Sequence, residues 1–394
     1  MGDRPTLIVA TSLPERECRA LEDALARSWQ GGPPPAIRWI RPRTGEPPAV
    51  LIEHGARVDV LLGGPPGSYD RLVRRGLLYK REDEPWVVFR RPDVAVAARP
   101  AVFEARAMPP PADPSILVDP RLGGLIGLDD PRIDAAARGF CSAQLPAASW
   151  ADGYAVLVRA TANAAPISRE AGTARARLDR GEVAIAAVFA ASVPNSERIE
   201  LLDRKPGPVE CMAVSPTTTR PELAARLLTA LADALAATIA TAPDPAAGLL
   251  ADLLGATLVD AQPELALARE ALNRMPAGAR SRQLEGYLVQ PPPWPPTSVS
   301  RLGESELVEL LAAQVAPGLD ARGWLLQSWE SPPQPLDGRQ LERIATVAGG
   351  KLASDPRFRA WLRAEWTAWA CQNYRRVARE AERATTAAHA GAAS

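Results

Sequence analysis

VDVLLGGPPGSYDRLVRRGLL, residues 58–78, changes character halfway along. An apolar run suited to a buried strand stops at Gly63-Gly64 and two prolines, and an amphipathic pattern then runs to Gly76. Glycine at such a point has two uses. It permits a tight strand-to-helix turn, and it lets backbone N–H groups approach a ligand with no Cβ in the way.

The preceding residues repeat the pattern. TLIVATS (6–12) reads as a buried strand, and Ser12 and Glu15 stand in capping-box spacing ahead of a helix with Leu21, Leu25 and Trp29 on one face. AIRWI (36–40) reads as a second strand, and the turn at Arg43-Thr44-Gly45 leads to a second helix that contains His54. Strand and helix alternating three times predicts a parallel sheet covered by helices. Ligands of such sheets sit at the carboxyl ends of the strands. The polar or glycine-rich turns at that edge are Thr11-Ser12, Arg43-Thr44-Gly45 and Gly63-Gly64.

Further along, WVVFRRPDVAVAARPAVF (86–103) reads as paired extended segments that leave this unit, and a second α/β unit follows from about 116 to 205. There, a polar turn at Ser168–Thr173 opens a helix that Gly181 closes. Ser168, Gly172 and Thr173 thus mark a second helix N-terminus open to an anion. VECMAVSP (209–216) reads as a strand and TRPELAARLLTALADALAATIA (219–240) as an apolar helix. After a proline-rich linker around Trp294, the chain becomes helical, and Phe358, Trp361, Leu362, Trp366 and Trp369 share one face. Such a stripe is read as core, with a partner surface as the other reading, and not as a cofactor site.

The totals narrow the function. At 394 residues the chain needs two or three domains. Its 46 basic and 46 acidic residues balance, so no nucleic-acid footprint is present. Four scattered cysteines and two histidines form no zinc or redox motif. There is no P-loop and no G-x-S-x-G, and Ser68 and Ser192 have no histidine in a recognisable motif. Catalysis is therefore not expected. Asp129-Asp130 reads as a capped turn at a strand end. The opening residues show no secretory signal, and no apolar run is long enough to span a bilayer.

Five stretches in order carry a resemblance to a known family: LIVATSLPERECRALEDAL, GARVDVLLGGPPGSYDRLVRRGLL, ILVDPRLGGLIGLDDPR, GTARARLDRGEVAIAAVF and VECMAVSPTTTRPELAARLLTAL. Together they resemble the type II periplasmic binding proteins, in particular the iron-type solute-binding subunits of ABC transporters, over roughly residues 5 to 290. The resemblance implies two α/β lobes joined by two crossovers, with the solute in the cleft between them. It divides the chain into a discontinuous first lobe (1–97 and 208–296), an inserted second lobe (98–207) and a C-terminal helical extension (297–394).

It further implies a monomer that binds a small polar or anionic solute without catalysis or cofactor and meets a transporter permease. The location would be the periplasm or cell envelope, with the cytoplasm left open by the missing signal. Thr11, Ser12, Arg43, Thr44, Gly45, Gly63, Gly64 and Tyr69 would face the solute from one lobe, and Ser168, Gly172 and Thr173 from the other. Iron-type members hold ferric ion with tyrosine phenolates after the second-lobe strand. The corresponding FAASVPNSERIELLDR (189–204) contains no tyrosine, and Tyr69 and Tyr154 alone make a poor shell, so no metal is expected. The alternative is a degenerate binding-protein-like sensor or interaction module.

Overall fold

The computed structural model describes residues 5–11, 13, 15–29, 32–43, 46–64, 66–78, 85–90, 93–145, 149–193, 198–206, 210–235, 246–296, 333–346, 353 and 355–392. In chain order the first elements are β1 (Thr6–Thr11), α1 (Glu15–Ser28), β2 (Ala36–Ile40), α2 (Ala49–Glu53), β3 (Val60–Leu62), α3 (Pro66–Arg74) and β4 (Val87–Arg90). Next come β5 (Asp93–Ala98), α4 (Pro100–Glu104), β6 (Ile126–Gly127), α5 (Ala135–Gln144), α6 (Trp150–Ala162), α7 (Thr173–Arg180), β7 (Ile185–Phe189), β8 (Glu200–Pro206), β9 (Glu210–Val214) and α8 (Pro221–Leu235). Helix α9 (Ala247–Leu254) runs into a π-helical turn (Gly255–Val259), followed by α10 (Gln262–Arg274), α11 (Ala279–Leu288), β10 (Pro293–Trp294), β11 (Gln334–Pro335), α12 (Gly338–Thr346) and α13 (Pro356–Ala392).

The chain divides into two compact units, one formed by Met1–Asp93 with Pro206–Pro243 and the other by Val94–Lys205 with Asp244–Ser394. The first holds a five-stranded sheet in the order β2-β1-β3-β9-β4. Strand β1 pairs in parallel with β2 and β3, as the sequence predicts, and β9 runs antiparallel to both β3 and β4. Alternate residues of each strand serve opposite faces. Leu7, Val9, Val60 and Leu62 pack with Leu21, Leu25, Leu227 and Leu231 of α1 and α8. Ala10 and Leu61 pack with Ile52, Tyr69 and Leu72 of α2 and α3. His54 is the C-cap of α2, and Gly76, at φ +67°, ends α3 as its position predicts.

The second unit holds a four-stranded sheet in the order β6-β7-β5-β8, with β6 parallel and β5 antiparallel to β7. The extended segments 86–103 are therefore not paired with each other. Strand β4 completes the first sheet through β9, and β5 enters the second through β7. Helix α7 covers one face through Ala174 and Leu178, while α5 and α6 cover the other through Phe140, Leu157 and Val158.

Residues 244–296, expected in the first lobe, belong to this second unit. The reason is apolar: Leu249, Leu253, Leu254, Leu265 and Leu284 join one core with Ile126, Phe140 and Leu157. The C-terminal helical region shares that core. Phe358, Leu362 and Trp366 are 2%, 0% and 1% exposed, and α13 packs against α9, the π turn, α10 and α11. The tryptophan stripe is thus core, with Trp361 and Trp369 partly buried at its margin. The predicted helix over ESELVELLAAQVA (304–316) lies outside the described residues.

A π turn closes i→i+5 hydrogen bonds in place of i→i+4 ones, as Asp260 N–H does on the Gly255 carbonyl at 2.9 Å. Two hydroxyls add bonds here: Thr257 Oγ1 donates to the Leu253 carbonyl and Tyr374 Oη to the Thr257 carbonyl, at 2.9 and 3.2 Å. A second polar tie joins α9 to α13. The Asp252 carboxylate, 3% exposed, accepts from Arg359 Nε at 2.5 Å and Arg363 Nη1 at 3.2 Å.

Candidate functional site

The carboxyl edge of the parallel strands in the first unit is formed by Thr11, the residues after β2, and Gly63-Gly64. Gly63 and Gly64 adopt φ +91° and +93°, a region costly for any residue with a Cβ. A Cβ on Gly64 would also lie 3.3 Å from Pro48 Cδ. Gly63 N–H donates to the Cys211 carbonyl at 2.8 Å, and Cys211 N–H to the Gly64 carbonyl at 3.0 Å. The glycine pair therefore extends the contact with β9 and lets the chain turn tightly over Pro47-Pro48. This is the structural one of its two uses.

Two other residues expected to face a solute are committed inside the fold. Tyr69 is fully buried; its hydroxyl donates to the Gly63 carbonyl at 2.7 Å and lies 2.7 Å from that of Cys211. Burial, with Cys211 and Glu210 nearby, raises its pKa well above that of a free phenol. Thr11 is fully buried, and its hydroxyl accepts from Leu13 N–H at 3.0 Å. Both expectations are corrected by burial: each hydroxyl closes a backbone turn at the sheet edge. Arg43 is exposed, and its carbonyl accepts from Glu46 N–H at 3.0 Å. Ser12, Thr44 and Gly45 lie outside the described residues.

In the second unit the carboxyl edge carries the segment after β6 and the loop before α7. This loop is firmly held. Asp130 N–H donates to the Ser168 carbonyl at 2.9 Å, and Gln262 bridges Ile167 N–H and the Ala165 carbonyl at 2.9 and 3.1 Å. Ser168 Oγ accepts from Glu170 N–H at 2.9 Å, so it serves its own turn.

The N-terminus of α7 is occupied by the protein's own carboxylates. Asp134 Oδ2 accepts from Gly172 N–H at 3.3 Å, and both Asp129 oxygens accept from Ala174 N–H at 3.0 and 3.2 Å. Asp129 and Asp134 are 5% and 9% exposed. This corrects the expectation of a helix end open to a solute anion at Gly172-Thr173: two buried side chains already use its dipole. Asp134 also caps α5 through Ala137 N–H at 2.7 Å.

Burial, reinforced by Asp134, pushes Asp129 up to about 7, against the opposing pull of the Ala174 and Gly172 N–H groups and Arg177. Burial likewise raises Asp134. Two carboxyls in one low-dielectric turn resist double ionisation.

Beside this pair lies a charged chain of four. Arg132 donates to Asp130 and, through two nitrogens at 2.7 and 2.8 Å, to Asp260. Burial opposes its charge, but the bonds to Asp260 and Asp130 outweigh that and raise its pKa. Arg169 then donates to Asp260 Oδ1 at 2.9 Å. Arg132 also explains Gly255: a Cβ there would lie 2.4 Å from its Nε.

The sequence reading missed Asp134, Arg132, Asp260, Arg169 and Gln262. The available signal was the run DDPRID (129–134), three carboxylates and one arginine directly after a strand. After β7, Ser192 is held by Arg175, whose Nη1 donates to the Ser192 carbonyl at 2.6 Å. Among the described residues, no group of three or more histidine, cysteine or acidic side chains is placed to hold a metal. Among them, too, no helix is long and apolar enough to cross a membrane.

No protein-family model and no curated protein matches this sequence. Among solved structures, the chain is similar to the periplasmic binding protein P5PA at 16% identity, covering 59% of this chain and 81% of that one, with a TM-score of 0.47. It is also similar to the periplasmic binding protein AfuA from Actinobacillus pleuropneumoniae, solved with fructose-6-phosphate, at 14% identity over 58% and 80% of the two chains, with a TM-score of 0.46. Iron-bound HitA from Pseudomonas aeruginosa gives 18% identity, 58% and 84% coverage and a TM-score of 0.42. These are partial likenesses and assign no solute.

Proposed function

We propose that this chain is a solute-binding protein of the type II periplasmic family, serving an ABC-type transporter by taking up a small polar or anionic solute without catalysis. The observation that supports it is the order of elements. The five resembling stretches fall on β1-α1, β3-α3, the passage into β6, α7-β7 and β9-α8, and β9 follows the Val94–Lys205 segment of the second unit and pairs between β3 and β4. Both sheets place polar turns at the carboxyl edge of their parallel strands, the usual position for a ligand.

Thermal unfolding against a panel of solutes tests this reading. The panel holds ferric ion with and without citrate, phosphate esters, thiamine derivatives, polyamines, amino acids and sugars. One saturable rise in Tm, corresponding to about 2.7 kcal/mol of stabilisation at a hundredfold excess over Kd, supports it. A flat panel with folded protein rejects it.

One observation favours the alternative of an interaction module. A groove of about 570 Å³ lies between α10 and α13, lined by the apolar Leu267, Ala368, Cys371 and Ala378 and by the polar Glu264, Gln372, Arg375 and Arg379, and Leu267 is 59% exposed. Because α13 is core, deleting residues 297–394 would unfold the second unit, and Leu267→Glu is the cleaner probe. Loss of a specific copurifying protein with that variant, together with a flat solute panel, would favour the module.

A further inference from the structure

We infer that Arg169 is the residue of the second unit that receives the anionic group of the solute, an inference that rests on the solute-binding reading. The end of α7, the obvious anion seat in the sequence, is filled by Asp129 and Asp134. An anion arriving at this edge therefore needs a side-chain donor.

The neighbouring arginines are committed. Arg132 is bound to Asp130 and Asp260. Arg138 donates to the carbonyls of Pro131 and Arg132, at 2.9 and 3.1 Å. Arg175 holds Asp179 and Ser192 and is 19% exposed. Arg177, only partly exposed, donates through Nη1 to the Pro166 carbonyl at 2.7 Å and turns its charge on the Asp129 carboxyl.

Arg169 differs. Its side chain is 72% exposed, and its bond to the Asp260 carboxylate engages one of its five N–H donors. Asp260 is itself fixed, since Arg132 grips both of its oxygens. The guanidinium is thus tethered at one corner and leaves donors for a carboxylate or phosphate, which its planar fork can bind in two-pronged fashion. Asp130, Arg132, Asp260 and Arg169 sum to zero charge, so this network adds no surplus negative charge to repel an anion.

Calorimetric titration of the full chain with inorganic phosphate, citrate and an uncharged sugar tests the inference, comparing wild type with Arg169→Ala, Arg169→Lys and Arg180→Ala. Arg180 is the control, an exposed arginine paired with Glu182 at the other end of α7. The expected result is binding of phosphate or citrate that weakens at least tenfold in Arg169→Ala, recovers partly in Arg169→Lys and is unchanged in Arg180→Ala, with all four proteins unfolding at the same temperature. Equal binding by wild type and Arg169→Ala overturns the inference and leaves the solute-binding reading intact. So does a wild type that takes an uncharged or cationic solute and no oxyanion. A wild type that binds neither these probes nor any member of the wider panel overturns both.

Discussion

Replacing Asp129 by Asn probes the edge of the second unit through its charge. Asp129 is 5% exposed, and both oxygens accept from Ala174 N–H. Asn retains one acceptor oxygen and similar volume but carries no charge. The carboxyl stands at about 7 in the folded protein and at 3.8 in an unperturbed chain. Between those values the native state holds a proton that the unfolded state has released. Stability contributed by this group is therefore present at low pH and lost as pH rises from about 4 to 7.

The ceiling on that loss is about 4 kcal/mol. The groups facing Asp129 set its slope: Asp134 opposes ionisation and Arg177 favours it. Arg138 acts on Asp134, and Cys141, pushed up to about 12 by burial, stays neutral throughout. Urea unfolding at half-unit intervals from pH 4.5 to 8.5 gives the measurement. Asp129→Asn should lie nearest to wild type at pH 4.5, gain on it progressively as pH rises towards 7, and be the more stable protein at pH 8. Parallel profiles, or a variant less stable than wild type at pH 8, would refute the reasoning.

Three further variants test the packing. Trp366→Ala removes a side chain 1% exposed and should cost about 3–5 kcal/mol in chemical denaturation; a loss under about 1 kcal/mol would mean that α13 is not core. Tyr69→Phe deprives two inward carbonyls of their hydroxyl and should cost about 1–2 kcal/mol in the same assay, with solute affinity unchanged. Asp252→Asn weakens the tie to Arg359 and Arg363, and because those arginines are 31% and 36% exposed the loss is held to about 1–2 kcal/mol, with the difference from wild type reduced in high salt.

The parts of the fold legible in the sequence are those set by local chemistry. The alternation from Thr6 to Arg74, the closure of α3 at Gly76 and that of α7 at Gly181 follow from periodicity and from positions where glycine adopts positive φ. Long-range pairing was not legible. Nothing in WVVF or VAVAA says that one strand stays with β9 and the next joins β7, because both are short apolar runs. The placement of residues 244–296 was hidden for the same reason, since leucines on an apolar helix fit any core of suitable shape.

At the candidate site, the sequence marks Gly63-Gly64 and the turn before α7 but not what their groups bond to. Sequence shows that Tyr69 lies near the turn; only the fold shows that its hydroxyl points at two carbonyls. Likewise Asp134 lies 38 residues from Gly172, so its occupation of the α7 end is a tertiary fact.

The central claim is that the chain carries one solute. Native mass spectrometry of the intact protein, incubated separately with each solute class, tests it most directly. The account predicts a single adduct per chain for one polar or anionic solute, saturating with concentration and competed by its close analogues. Folded protein that shows no saturable adduct with any class would contradict it.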